Sequence, residues 1–153
     1  MGACRIPRPK DPLAAARAEV VELLFVYVDR LRLHFEGVCQ LHDLTPVQAK
    51  LLISLDEPAP MRCMADELGC DPSNVTGVVD RLEERGLVTR TEFPLDRRAK
   101  FVTATAEGQR LREAFSAELF REVPGMESQS PEQIASLREA LMALCGVESK
   151  ARG

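Results

Sequence analysis

Two adjacent arginines, Arg97 and Arg98, stand in the polar stretch Pro94-Leu95-Asp96-Arg97-Arg98-Ala99. On either side, Leu87 to Phe93 and Lys100 to Thr105 carry Val, Thr and Phe in strand-like patterns. The arginines therefore fall at a hairpin tip, with Lys100 at the start of the second strand. A guanidinium there can enter a narrow minor groove, where a nucleic acid's potential is most negative. Asp96 lies two residues before Arg98 and can pair with it, fixing its direction across the hairpin. An ordinary solvated charged turn is the alternative. Just upstream, Ser73, Asn74, Thr76, Gly77, Asp80 and Arg81 share one face of a helical segment. Small polar groups near a helix start let it approach base edges and phosphates closely. Gly77 costs about 1 kcal/mol relative to Ala inside a helix. It either permits that approach or packs against the preceding helix.

The surrounding elements follow from local signals. Met61, Met64, Ala65 and Leu68 recur at helical spacing. Gly69 comes where a left-handed residue ends a helix cheaply. Asp71 can cap the next helix, and Pro72 suits its first position because the missing N–H costs nothing there. That helix runs to about Arg85, with Val75, Val78, Val79 and Leu82 on its apolar face and Gly86 as its stop. Helix, tight turn, helix and basic hairpin make a winged helix-turn-helix, an arrangement that puts one helix in the major groove and a loop beside it.

Several of these segments, in this order, closely resemble the MarR family of bacterial transcription regulators. Asp66-Glu67-Leu68 followed by Asp71-Pro72-Ser73-Asn74-Val75-Thr76 is similar to that family's helix-turn-helix. Val79-Asp80-Arg81-Leu82-Glu83-Glu84-Arg85-Gly86-Leu87-Val88 is similar to the end of its recognition helix and the entry to its wing. Asp96-Arg97-Arg98-Ala99 and Val102-Thr103-Ala104-Thr105 through Gly108 resemble its wing signature, in which an Asp and the Arg two residues later shape the tip. The chain departs from the pattern at Ala104, where the family usually has Leu, a change under the second wing strand and off the DNA-reading side. The motif-bearing part is roughly a third of the chain, and the flanking helical layout matches over nearly all of it.

At 153 residues the chain has one domain's length, and 45% hydrophobic residues supply a core. It holds no apolar run near a membrane span, and MGACRIPRPKDP lacks a signal-peptide core. A cytoplasmic location without membrane contact is the expectation. The net charge is −4, which disfavours indiscriminate nucleic-acid binding. Binding would rest on local placement of Arg81, Arg97, Arg98 and Lys100. Residues 1–12 read as a flexible arm, because Pro7, Pro9 and Pro12 prevent a helix there.

From Leu13 to about Leu41, the residues Leu13, Val20, Leu24, Val28, Leu31, Phe35 and Val38 recur at helical intervals. Thr45-Pro46-Val47-Gln48 is a capping box opening a second helix that ends near Asp56. After the hairpin, Thr105 can cap a helix to about Val123 with Leu111, Phe115 and Leu119 on one face. Pro124-Gly125 breaks it. Ser130-Pro131-Glu132-Gln133 repeats the capping box and opens a last helix bearing Ile134, Leu137, Leu141 and Leu144. The first and last helices carry more apolar surface than a compact reading domain needs. In the family resembled, such terminal helices interlock two subunits. A two-fold dimer would match a pseudo-palindromic site with half-sites about one DNA turn apart.

The five cysteines, Cys4, Cys39, Cys63, Cys70 and Cys145, include no CxxC pair. Free thiols are expected. Cys39, Cys63 and Cys70 are the candidates for redox sensing, although a buried Cys is usually just a small hydrophobe. Peroxide-sensing members of the family carry a reactive Cys near the start of the first long helix, where this chain has Leu23-Leu24-Phe25-Val26-Tyr27. Other members bind small phenolic or aromatic acids in a cleft. Tyr27, Arg30, His34 and His42 are candidate polar anchors for such an effector, against a reading of them as ordinary surface groups. His34 and His42 make no convincing metal pair, and no metal or cofactor is expected.

These readings give a mainly α fold with a small β-hairpin wing. Residues 13–44 and 106–148 form dimerisation helices and residues 45–105 a winged helix-turn-helix, all within a MarR-type domain spanning 13–153. The function expected is sequence-specific DNA binding by a homodimeric repressor, released by a small-molecule effector. A thiol-based redox regulator and a winged-helix protein-interaction module are the alternatives. No nucleophile–base pair, phosphate-binding Gly loop or ligand cluster points to an enzyme.

Overall fold

The computed structural model describes residues 9–68, 71–93 and 96–147. The described part of the arm is thus only its last residues. The chain divides into two compact units, one running to Arg121 and one starting at Glu122.

The first unit begins with helix α1, Pro12–Leu41, a rod of 30 residues. Asp11 caps it, its Oδ2 accepting from Ala14 N at 2.7 Å. Its end is a tight turn in which Asp43 takes φ 56°, a left-handed value that Asp tolerates better than most residues. Helix α2, Pro46–Ser54, starts at Thr45 with a reciprocal capping box. Gln48 N donates to Thr45 Oγ1 at 3.3 Å, and Thr45 N donates to Gln48 Oε1 at 2.9 Å. Two orphan donors of the helix start are thereby satisfied.

A short strand, β1 (Ala59–Pro60), leads into α3, Met61–Leu68. Helix α4 follows at Pro72–Glu84. Strands β2, Val88–Phe93, and β3, Asp96–Ala104, form the wing. The sheet is antiparallel in the order β1-β3-β2, with Val88 opposite Ala104 and Ala59 opposite Val102. Helix α5, Ala106–Arg121, closes the unit.

One element was not foreseen and two local expectations need correction. Strand β1 includes Pro60, and its edge position tolerates a proline because the outer side needs no ladder N–H. The second wing strand starts at Asp96 rather than Lys100, with an irregularity between Glu92 and Phe93, so part of the expected tip is strand. Asp71 makes no side-chain cap bond to α4. Its backbone carbonyl instead accepts from Asn74 N at 2.9 Å.

The core lies where α2, α3, α4, α5 and the sheet meet. Leu51, Leu52, Val75, Val79, Leu82, Val88, Val102 and Phe115 are all essentially solvent-free. From α1, only Val38 and Cys39 are buried. Phe115 lies edge-on to Phe35, with ring centres 5.6 Å apart, and tilted against His42. The junction between wing and α5 is tight. Thr105 Oγ1 donates to Gly86 O at 2.6 Å and accepts from Gly108 N at 3.1 Å. A Cβ on Gly108 would stand 1.9 Å from Leu87 O, so only glycine fits there.

The second unit holds helix α6, Pro131–Cys145. Ser130 and Gln133 form its capping box, and Gly146 closes it in the left-handed region at φ 63°. The helix has no buried residue.

Candidate nucleic-acid interface

Helix α4 is two-faced. Val75, Val79 and Leu82 point into the core, which fixes the helix's rotation about its own axis. Asn74, Thr76, Gly77, Asp80 and Arg81 are consequently exposed along the opposite side. Among the described residues, nothing comes within 4 Å of a Cβ built on Gly77. Among those residues Gly77 leaves an open notch in the exposed face of the helix.

Two arginines hold α4 in place. Arg85, just past its end, donates from Nη1 to Asp43 O at 2.6 Å and from Nη2 to His42 O at 3.4 Å. It thus ties the end of α4 to the turn between α1 and α2. Arg90, on β2, ion-pairs with both Asp80 and Glu83. Its own backbone N donates to Glu83 Oε1 at 3.0 Å. Burial opposes the charge on Arg90, but hydrogen bonds and attraction from Asp80 and Glu83 outweigh it and raise its pKa. A third arginine, Arg112 of α5, donates to Leu55 O at 2.6 Å and pairs with Asp56 Oδ1 at 2.8 Å. Neither Arg85 nor Arg90 was singled out from the sequence, because each acts through a partner brought close only by folding.

The side chains of Ser73, Asp96, Arg97, Arg98 and Lys100 lie outside the described residues. Their backbone positions put Ser73 in the first turn of α4 and the other four along β3.

The candidate effector anchors are spread along α1 and its C-cap, His42. Tyr27 and His42 are fifteen positions apart, roughly 22 Å at helical rise. His34 Nε2 donates to Leu119 O at 2.9 Å, a structural bond between α1 and α5. His42 packs on Phe115, and its Nε2 is buried without a hydrogen-bond partner among the described residues. The Tyr27 hydroxyl is likewise buried and unpartnered among them. Arg30 is exposed. The four are thus strung out along the first helix rather than gathered at one point.

Of the cysteines, Cys39 is buried and Cys63 and Cys145 are exposed. Burial, assisted by the nearby Glu36, pushes the Cys39 thiol up, which suppresses the reactive thiolate. Cys70 lies outside the described residues. Among the described residues no group of three His, Cys, Asp or Glu could hold a metal, and no helix is long and apolar enough to cross a membrane.

A helix-turn-helix with a β-wing, flanked by long helices, defines a winged-helix protein. The MarR family model matches residues 44–100. The chain is 29% identical over 96 residues to the organic hydroperoxide resistance transcriptional regulator of Bacillus subtilis (strain 168), covering 63% of this chain and 65% of that one. It spans just under two thirds of the length of the curated relatives it matches, 65% and 66%. Among solved structures it is similar to a MarR-family transcriptional regulator from Rhodococcus sp. RHA1, with TM-score 0.67 and 29% identity over 84% of this chain and 93% of that one. It is also similar to CouR from Rhodococcus jostii RHA1, solved bound to p-coumaroyl-CoA. There the TM-score is 0.65 and the identity 31%, over 82% of this chain and 90% of that one. The chain belongs to the MarR family of transcriptional regulators. The family is one of regulators rather than enzymes.

Proposed function

We propose that the chain is a homodimeric repressor that reads a pseudo-palindromic operator with α4 and its wing. The observation that carries this reading is the exposed face of α4, polar and notched at Gly77 while its other face is locked into the core. Asn74, Thr76, Gly77 and Arg81 then meet base edges and phosphates, with Ser73 at the helix start. Arg97, Arg98 and Lys100 of the wing follow the backbone and minor groove, and Asp96 orients the tip. Residues 45–105 act as the DNA-binding region. Residues 13–44 and 106–148 hold two copies together at half-site spacing.

The dimer is supported by apolar side chains left in the open. Leu23, Phe25 and Val28 of α1 are each more than half exposed, as is Leu144 of α6. Patches of this kind mark association surfaces. A small aromatic effector would release the operator by binding one dimer state better than the other. The p-coumaroyl-CoA bound to CouR supports an aromatic acyl ligand class. Tyr27, Arg30, His34 and His42 remain its candidate anchors.

Selection of bound DNA from a random library, followed by affinity measurements at two salt concentrations, tests the reading. The expected result is an inverted repeat with half-sites about 10 base pairs apart and a steep salt slope. Enrichment of no sequence by effector-free, reduced protein would overturn it.

A further inference from the structure

We propose that Arg90 is a positioning residue that locks the wing onto the recognition helix, and that Asp80 serves as its tether rather than as a reader of bases. The inference rests on the reading of α4 as the DNA-facing helix.

Thr76, Asp80 and Glu83 are spaced four and three residues apart, so they form one stripe along α4. Arg90 spans that stripe from the neighbouring strand. Its Nη2 pairs with Asp80 Oδ1 and reaches Thr76 O at 3.5 Å, and its Nη1 pairs with Glu83 Oε2. Its backbone N completes the set on Glu83 Oε1. One residue of β2 is therefore stitched along about two turns of α4. The planar fork of a guanidinium suits this division between two carboxylates, and an ammonium cannot reproduce it.

Electrostatics gives the stitching a purpose. Asp80, Glu83 and Glu84 put three carboxylates on α4, and each repels a phosphate backbone. Arg85 is turned away toward the α1–α2 turn, which leaves Arg81 as the helix's exposed cation toward DNA. Arg90 neutralises the acidic stripe and spends its acids on holding the wing. Its side chain is 22% exposed, against 51% for Asp80. The pair is thus partly withdrawn from solvent and less screened than a surface pair.

Asp80→Asn separates this role from its rivals. If Asp80 merely faces DNA as an anion, its neutralisation tightens binding. If it tethers the wing, neutralisation weakens binding although a repulsive charge has gone. We expect Asp80→Asn and Arg90→Gln each to weaken operator binding by about tenfold with the salt slope unchanged. The double variant should be no weaker than Arg90→Gln alone, and Arg90→Lys should recover only part of the loss. Hydrogen exchange on the same proteins without DNA should show faster exchange across Val88–Phe93. Tighter binding by Asp80→Asn would overturn the proposal. So would a salt slope reduced by about one in Arg90→Gln, which marks a direct phosphate contact, or unchanged wing exchange. Asp80 is half exposed, so its substitution still decides the matter if Arg90→Gln does not fold. If the unaltered protein selects no DNA but wing exchange quickens in both variants, the tether stands and the DNA reading falls.

Discussion

Helix α1 is one continuous rod whose two ends have opposite surroundings. At its C-terminal end, Val38 and Cys39 are buried among α2, α5 and the rest of the core. Toward its N-terminus, Leu23, Phe25, Val26 and Val28 are 51–66% exposed. The same side-chain chemistry serves two purposes. One end packs into the core of its own chain, and the other offers apolar surface that the described residues leave more than half exposed. A helix of 30 residues is about 45 Å long, far beyond what a small winged-helix core can shelter. Its length is explained if the exposed part belongs to an assembly. On the proposed dimer, the comparison separates residues that stabilise the fold from residues that would stabilise association.

Removing a residue from the sheltered end should have the largest effect. Phe115 is fully buried and meets Phe35 and His42. Phe115→Ala should cost about 3–5 kcal/mol, as deletion of a buried aromatic does. Thermal unfolding should show a similar drop in Tm at every protein concentration. A loss under 1 kcal/mol would mean that the contact between α1 and α5 does not anchor the first helix.

Phe25→Ala probes the other end. Phe25 is 66% exposed in the single chain, so a monomer would barely notice its loss. If a second copy covers it, each copy loses about 1.5–3 kcal/mol of burial. Sedimentation should then show a weaker dimer, and the fall in Tm should be greatest in dilute protein, because association couples stability to concentration. An unchanged dimer would break the comparison by placing the interface elsewhere.

How much of this was legible in the sequence depends on how far apart the cooperating residues lie. Helix starts were readable because their signals are local. Thr45-Pro46-Gln48 and Ser130-Pro131-Gln133 each complete a capping box within four residues, and both occur as expected. The apolar periodicity of α1 and α4 likewise identified the elements, and the family's spaced motifs ordered them. Strand β1 was not legible, since its pairing to Val102 and Phe101 depends on residues some forty positions on, while its own Pro60 argues against a strand. At the candidate interface, the exposed stripe of α4 could be drawn from periodicity. What holds that stripe could not. Arg85 acts on His42 and Asp43 at a separation of 42–43 residues, and Arg90 reaches a helix on the far side of a turn. Side-chain bonds between different elements leave no period in a sequence, so charged residues of this kind read as ordinary solvated surface.

The smallest expected effect sets stability against function at one position. Gly77 and Gly108 are both helical glycines, but their surroundings differ in the same sense as the ends of α1. Gly108 meets the Leu87 carbonyl, while Gly77 faces open space. A methyl group at Gly77 therefore clashes with nothing described in the protein. It also restricts the unfolded chain and favours the helix. Gly77→Ala should stabilise by about 0.5–1 kcal/mol. A protein that needed only to fold would gain from that substitution. If the notch lets α4 approach the groove, the same methyl must be accommodated against a base edge or phosphate. Operator affinity should then fall even as Tm rises. Titration of both proteins against one selected operator, beside their melting curves, measures the two effects together. A rise in Tm with unchanged affinity would show that this turn of α4 stands clear of DNA, and would move the reading surface toward Asn74 and the wing.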